Sequence, residues 1–574
     1  MSLFSSIQLA NNSLRAAQVG LQVVGQNIAN VNTPGYIREE ALFAPADTQR
    51  QGDLLLGMGV EVVGIVQKLD HFLEERLRGA TSERAGAEVQ EQAYLQLEGL
   101  LGELSDTDLS TALTKFFNSI SEVVNQPENL ATRNLAVLQG QTLAGEVRRL
   151  ADRVNQNRID LNRRVINIAD DINRLTKEIQ TLNLRIAVVE GGELSQSDAV
   201  GLRDQRLVAL TNLSKLVDIR VAEQSSGGVA VFVGGEFLVF EGERREVAAE
   251  STSDRGIRTD SVLIADTNSP LNVNSGELAG LLDARDSVLG GFLDNLDHLA
   301  GTLAYEFNKV HSQGQGLNGF TDLTSSVEIG DAGAALSEAD LKFGPTSGAL
   351  DVVLFNRETG QTKAHTIQID LDGLGSDTSL EDFAAAVDAI DGISASASAS
   401  GLVTIRSDSP DAEFSFSGDT SGLLAALGLN TFFTGDSALS LDVNQALRDD
   451  PSKLATARLH DPETGTALNF GENNLNAIEL VRFFDKPLDS NNGASINVLQ
   501  ERLISEVTRG STVAKSVAEG FRIFEETLNG QKLATSGVSL DEEAVRMLSY
   551  QRMFQASARY IATLSELLEL LVNL

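Results

Sequence analysis

Three groups of residues in this 574-residue chain have types and spacing that could do chemistry: its histidines, one glycine-rich loop and one acid-rich loop. The five histidines, His71, His298, His311, His365 and His460, show neither the His-Glu-x-x-His spacing of a helix-borne zinc site nor any close pairing, and each reads as a helix or loop residue. Gly314-Gln-Gly316-Leu-Asn-Gly319 has the glycine spacing of a dinucleotide loop, but that mechanism needs a strand before the loop and a helix after it. A helical pattern precedes it here, so it reads as the loop leaving a helix over 275–311. Asp370-Leu-Asp372-Gly-Leu-Gly375 with Glu381 agrees with a calcium loop at its first, third, sixth and twelfth positions. Leu374 stands at the fifth, where an oxygen ligand belongs, and the flanks alternate as strands do, so a strand-ending turn is the better reading. Cysteine is absent, which removes disulfides, thiolate metal sites and a cysteine nucleophile together. No Ser/His/Asp constellation stands out either. The expectation is a protein that is not an enzyme and needs no cofactor or metal.

The composition points the same way. Lys and Arg number 45 against 81 Asp and Glu, a net charge of -36, and such a surface repels phosphate, so nucleic acid is not an expected partner. The 42% hydrophobic content is ample for real cores. No run of about eighteen apolar residues occurs, and the leucine-rich C-terminal segment carries Glu566 and Glu569, so no membrane insertion is expected. The first residues lack a basic stretch followed by an apolar one, which speaks against a cleaved secretory signal. Acid excess of this size suits a protein that must stay in solution and also self-associate.

The elements with the strongest pattern lie at the two ends. At the start Ile7, Leu14, Leu21 and Ile28 recur every seventh position, with Leu3, Ala10, Ala17, Val24 and Val31 beside them. At the finish Leu540, Met547, Phe554, Ile561 and Leu568 do the same, flanked by Tyr550, Leu564 and Leu571. Such rows predict paired coiled-coil helices that join the termini. Met1 to Tyr36 holds one charged side chain, Arg15, so the first helix is expected to lose water on most sides, with its Gln, Asn and Ser side chains hydrogen-bonding to neighbouring subunits. A core helix of a globular domain would show the same rows.

Between the ends the chain alternates in character, and the fold class expected is multidomain α plus β: terminal helices forming a coiled coil, a long-helix bundle domain and inserted β-rich outer domains. Pro34 and Gly35 predict that the first helix ends near Asn30, with short strands over 37–70 and helix again from His71. Val147, Val154, Leu161, Ile168, Leu175, Leu182 and Val189 repeat every seventh position, with Val165, Ile172, Ile179 and Ile186 as a second row. A continuous helix over 130–189, at about 1.5 Å per residue, would be about 90 Å long. Asn157 and Arg158 interrupt it and mark a kink or a change of partner, and Gly191-Gly192 ends it. Further helix is expected over 474–533, and Ser539 with Glu542 predicts a capping box at the last helix. The domains expected are 1–36 with 537–574 as a terminal inner domain, 37–218 with 269–319 and 470–536 as a helical rod, 219–268 as a small β-rich domain, and 320–469 as an inserted outer domain with its return segment.

Asn27-Ile-Ala29-Asn30-Val-Asn-Thr33-Pro34-Gly35-Tyr36 resembles the Ala-Asn-x-x-Thr-x-Gly-Tyr signature that follows the first helix in bacterial flagellar rod, hook and hook-associated protein 1 families. The segment from Gly537 to Ile561 resembles the end of the same families, and its Ser-Leu-Asp-Glu-Glu-Ala opening is nearest to the hook-associated protein 1 family. Gly276-Glu-Leu-Ala-Gly-Leu-Leu-Asp-Ala-Arg285-Asp286 and the stretch from Glu306 to Gly319 resemble that family too. Met553-Phe554 departs from its usual Ala-Tyr but keeps an aromatic, and residues 320–434 are not covered by the likeness.

The resemblance implies a structural part at the junction of hook and filament, exported by the flagellar type III apparatus and assembled as a ring at the hook tip. It also implies contact with hook protein and a second junction protein, and an export chaperone on the C-terminal segment. Both end helices would then be assembly surfaces, loosely held in a free subunit because an isolated amphipathic helix is marginal in water. The alternatives are another flagellar axial protein of hook or filament type, or a secreted adhesin or enzyme acting through 320–434.

Overall fold

A computed structural model of the chain describes residues 3–51, 54–102, 108–190, 198–459 and 473–573. His460 and the Gly191-Gly192 break lie outside them. Tertiary contacts gather the chain into two compact units, one of residues 1–93, 159–286 and 512–574, the other of 94–158 and 287–511. There are two units where composition marks out four segments, and the boundaries at 93/94, 158/159, 286/287 and 511/512 all fall inside the expected helical rod.

In the first unit the N-terminal helix, Leu3–Ala29, runs out at Asn30 and gives way to a hairpin in which Glu39–Pro45 pairs antiparallel with Val60–Gln67. The next helix begins at His71, where the pattern places it. The 61-residue helix Leu130–Glu190 is unbroken through Asn157 and Arg158, and the boundary between the units falls between Arg158 and Ile159. Beyond that boundary Val165, Ile172, Ile179 and Ile186 are fully buried, as their heptad spacing requires, whereas Val189 is 52% exposed. The β-rich segment forms a four-stranded sheet from Arg220–Glu223 to Glu243–Arg244 and a three-stranded one built on Val247–Asp254 and Ile257–Ile264. Gly234 and Gly235, both at positive φ, make the two-residue turn between Val229–Val233 and Glu236–Phe240.

Asparagines on helices tie these sheets down. Asn173 donates from Nδ2 to the Val247 carbonyl at 2.8 Å and accepts from the Val247 amide at 3.0 Å, and Asn183 does the same with Val229 at 2.8 and 3.1 Å. A carboxamide thereby stands in for a neighbouring strand, satisfying one donor and one acceptor at once. Asn162 accepts from the Asp260 amide at 2.7 Å, and Arg285 locks that pair by donating to both Asn162 Oδ1 and the Asp260 carbonyl.

The second unit has an apolar centre. Phe116, Phe307, Phe432 and Phe433 are at most 1% exposed, and the Phe116 ring lies 5.4 to 5.6 Å from each of the other three. Its inserted β portion places Gly348–Asn356 between Thr362–Ile369 and Ala412–Ser417, and a second sheet holds Val403–Ser407. Helix Leu380–Asp388, capped by a Ser379–Asp382 box, covers them with Phe383 and Val387 in the core.

Two helical expectations need correction. The helix predicted over 275–311 is interrupted by a π-helical turn, Ala284–Leu289, between Glu277–Asp283 and Gly290–His311. That predicted over 474–533 is two helices, Leu475–Arg482 and Ile496–Ser536; Pro487 and the left-handed residues Asn492 and Gly493 stand in the gap.

Candidate assembly site at the joined termini

The C-terminal helix, Leu540–Val572, packs along the N-terminal helix within the first unit. Asn27 meets Glu543, and a Cβ on Gly20 would lie 2.7 Å from the Tyr550 ring, so the two helices are antiparallel. The same register sets Ser13 opposite Ser557 and Ser6 opposite Leu564. Ala10, Ala17 and Val24 are at most 2% exposed and Ser6 8%, while Ile7, Leu14, Leu21 and Ile28 are half-buried beside them. Small residues therefore form the inner row on this side, and the larger row that dominates the sequence pattern is its flank. The reason is the Tyr550 ring, which fills the space that a side chain at Gly20 would need. Leu9, Val19 and Val23 point elsewhere on the same helix, which also packs on the hairpin.

On the C-terminal helix Leu564 is 5% exposed, and Met547, Tyr550, Phe554, Ile561 and Leu568 are half-buried. Glu543 and Ser557 are buried in the same rows, two polar members that an apolar count passes over. Leu540, in the first turn, is 52% exposed. The side chains of Leu3 and Leu571 lie outside the described residues.

At the root of the pair is a buried polar cluster. Asn27, fully buried, donates to the Glu39 carbonyl at 3.0 Å and to Glu543 Oε2 at 3.2 Å, and its Oδ1 accepts from the Glu39 amide at 3.0 Å and the Tyr36 hydroxyl at 2.8 Å. Both donors and both acceptor sites of the carboxamide are satisfied. Arg38 donates to Glu543 Oε1 at 2.9 Å and to Glu542 Oε2 at 2.8 Å. Glu543 has no exposed surface, so this ion pair is what makes its burial tolerable. Engagement by Arg38 also explains why the predicted capping box is absent: Ser539 is the N-cap but makes no side-chain cap bond, and Arg38 holds the Glu542 carboxyl below the usual carboxylate range. Burial pushes the Glu39 carboxyl up. It also raises Asp204 to about 7, with Glu39 adding to the rise while hydrogen bonds from Ile37 and Gln67 and the charge of Lys532 oppose it.

The signature residues divide into two sets. Asn27 and Tyr36 belong to the cluster, while Asn30, whose Oδ1 accepts from Thr33 Oγ1 at 3.1 Å, shapes the turn that returns the chain to it. Gly35 takes φ of +80°, and a Cβ there would fall 2.4 Å from Val208. Ala29, Thr33 and Pro34 are exposed. The expected outward use of Asn side chains thus fails at Asn27, which is spent inside the chain.

Outside the seam the C-terminal helix still shows large apolar surface: Val545 is 68%, Leu548 55%, Leu567 52% and Leu570 63% exposed, and Phe4 on the N-terminal helix is 75% exposed. The seven-residue count leaves these residues out. The signal that finds them is the excess of apolar residues over what one seam can hold.

The chemical candidates resolve into structural roles. Asp370, Asp372 and Asp377 converge near the end of strand Thr362–Ile369, yet their carboxylates accept from the backbone amides of Asp372, Leu374 and Gly373, as a turn requires. In the glycine loop a Cβ on Gly316 would lie 2.3 Å from the Ser452 carbonyl, and the Gln315 and Leu317 amides donate to Ala457 and Ser452, so the glycines permit close backbone approach. His311 is fully buried, its Nδ1 bonded to the Asn430 carbonyl at 2.9 Å and its Nε2 accepting from the Ala455 amide at 3.1 Å. Among the described residues no helix is long and apolar enough to cross a membrane.

A family profile described as "Flagellar hook-associated protein FlgK helical domain" matches residues 94–324, and one described as "Flagellar basal body rod FlgEFG protein C-terminal" matches 530–574. The chain is 25% identical over 596 residues to flagellar hook-associated protein 1 of Salmonella typhimurium, covering 99% of this chain and all of that one. The protein of that name from Bacillus subtilis is 28% identical over 374 residues, 58% of this chain and 73% of its own. Among solved structures, the flagellar hook junction protein FlgK from Burkholderia pseudomallei is alike in fold, with a TM-score of 0.50 and 15% identity over 80% of this chain and 100% of that one.

Proposed function

We propose that this chain belongs to the flagellar hook-associated protein 1 family and works as a structural subunit of the hook–filament junction, seated at the hook tip by its terminal helices. The observation that carries the assembly reading is the apolar surface left on a helix that already has a partner. Burying Val545, Leu548, Leu567 and Leu570 against other subunits would remove that surface from water, at about 25 cal/mol for each Å².

In this reading copies of the chain associate side by side in a ring, with hook protein below and a second junction protein above. The N-terminal helix suits such a crowded layer, since its exposed face carries Gln8, Asn11, Gln18 and Gln22 and the single charge of Arg15. The chain reaches its place through the flagellar type III apparatus, with the C-terminal segment, apolar and unsatisfied before assembly, shielded by an export chaperone. Family membership fits a structural part and no enzyme.

Deleting the gene tests the position. Hooks should remain and filament subunits should accumulate in the medium; loss of the hooks themselves would make the protein a hook component.

A further inference from the structure

The first unit holds a cavity of about 370 Å³, walled by helices His71–Leu101 and Val200–Leu216 and by the strands that follow. Its apolar side includes Leu207 and Leu210, and Phe72, 70% exposed, belongs to its lining. Its polar side carries an arrangement that folding alone does not require. Arg78 is 8% exposed, its Nε has no hydrogen-bond partner, and among the described residues no carboxylate oxygen lies within 4 Å of it. Glu74, one turn away, is taken by Lys532 at 2.7 Å. Arg206, 5% exposed, also lines the cavity, and its bonds go to the neutral oxygens of Asn183 and Gly227 at 3.0 and 2.8 Å. Arg203, by contrast, is paired with Glu190 and Glu223.

A guanidinium taken from water without an ion-pair partner in contact is costly, and the cost is felt as a tendency to release the proton: burial lowers Arg78, opposed by the charges of Glu74 and Glu75, which also line the cavity, and brings Arg206 down to about 10, with Arg203 adding to the effect. An arriving anion would offset that cost. The planar fork of arginine matches a carboxylate by two parallel hydrogen bonds, and the apolar wall would cover a short carbon chain behind it. A cavity of this size is at the lower end of those that seat small ligands.

We propose that this cavity is a receptor for a carboxylate attached to a short apolar stem, with Arg78 as its main donor. Such a group comes either from an acidic side chain of a second copy, since the chain carries 81 Asp and Glu, or from a free dicarboxylic acid.

Calorimetric titration of the full chain with glutarate, in a low-salt buffer without phosphate, tests it. One saturable site per chain is expected, and Arg78→Gln should weaken it by about tenfold or more, Arg78→Lys by less. Absence of saturable binding, or equal affinity in Arg78→Gln, overturns the proposal. Should the variants not fold, phenylglyoxal labelling of the wild-type chain gives the answer by peptide mass: glutarate must protect Arg78, and unprotected labelling overturns the site. Sedimentation then separates the sources. Glutarate that disperses self-associated chain places the acid on a second copy, and unchanged sedimentation with binding intact identifies a free acid.

Discussion

Phe116 in the second unit and Asn27 in the first each hold together segments far apart in the chain, with opposite materials. Around Phe116 the rings of Phe307, Phe432 and Phe433 close a centre that needs nothing beyond itself. Around Asn27 the inner row is Ser, Ala, Gly and one Val, sealed by a carboxamide and an Arg38–Glu543 ion pair, and large apolar residues remain outside. A buried ion pair adds little net stability, because the cost of desolvating both charges offsets their attraction. The second unit thus closes its apolar centre within the chain, whereas the terminal pair leaves large apolar residues exposed, as the proposed assembly role would require.

The largest expected effect is on the finished core. Phe116→Ala should lower the unfolding free energy of the second unit by about 3–5 kcal/mol, measured by denaturant titration, because the tight ring cluster cannot collapse around the void. A loss below about 1 kcal/mol would mean that the cluster is not the centre described.

A smaller effect separates the units by sign. Asp204 has its pKa raised to about 7 in the fold, so the folded state holds a proton that the unfolded state has released, and the first unit gains stability as pH falls from about 7 towards 4. His311 is the reverse. Burial, with Arg133 nearby, lowers it to about 4, against a raising bond to Asn430, so below about 6.5 the unfolded state takes a proton that the fold refuses and the second unit loses stability. Hydrogen exchange of each unit at pH 5 and pH 7 should move in opposite directions, and Asp204→Asn should flatten the trend in the first unit alone. Parallel trends in the two units would break the contrast.

Much of this was legible in the sequence. Heptad spacing located the end helices and the buried row from Val165 to Ile186, because a one-sided helix repeats its apolar face with a fixed period. Pro34 with Gly35 located the turn. Illegible were the contributions that depend on distant partners: that Tyr550 would exclude a side chain at Gly20, that Arg38 would draw Glu542 away from Ser539, and that Asn27, Asn173 and Asn183 would clamp strands. Local spacing says nothing about which backbone edge a carboxamide meets. Nor does it show how much apolar surface the pairing leaves over, which is why Val545 and Leu548 were missed.

The most direct measurement uses those residues. Leu548→Asp, at a position 55% exposed, should change the stability of the free chain by no more than about 0.5 kcal/mol. In cells that make only this variant, the hooks should form and the variant should be exported, yet filament protein should be shed into the medium. Filaments retained at normal length, with normal motility, would contradict the claim that the outward face of the C-terminal helix is an assembly surface.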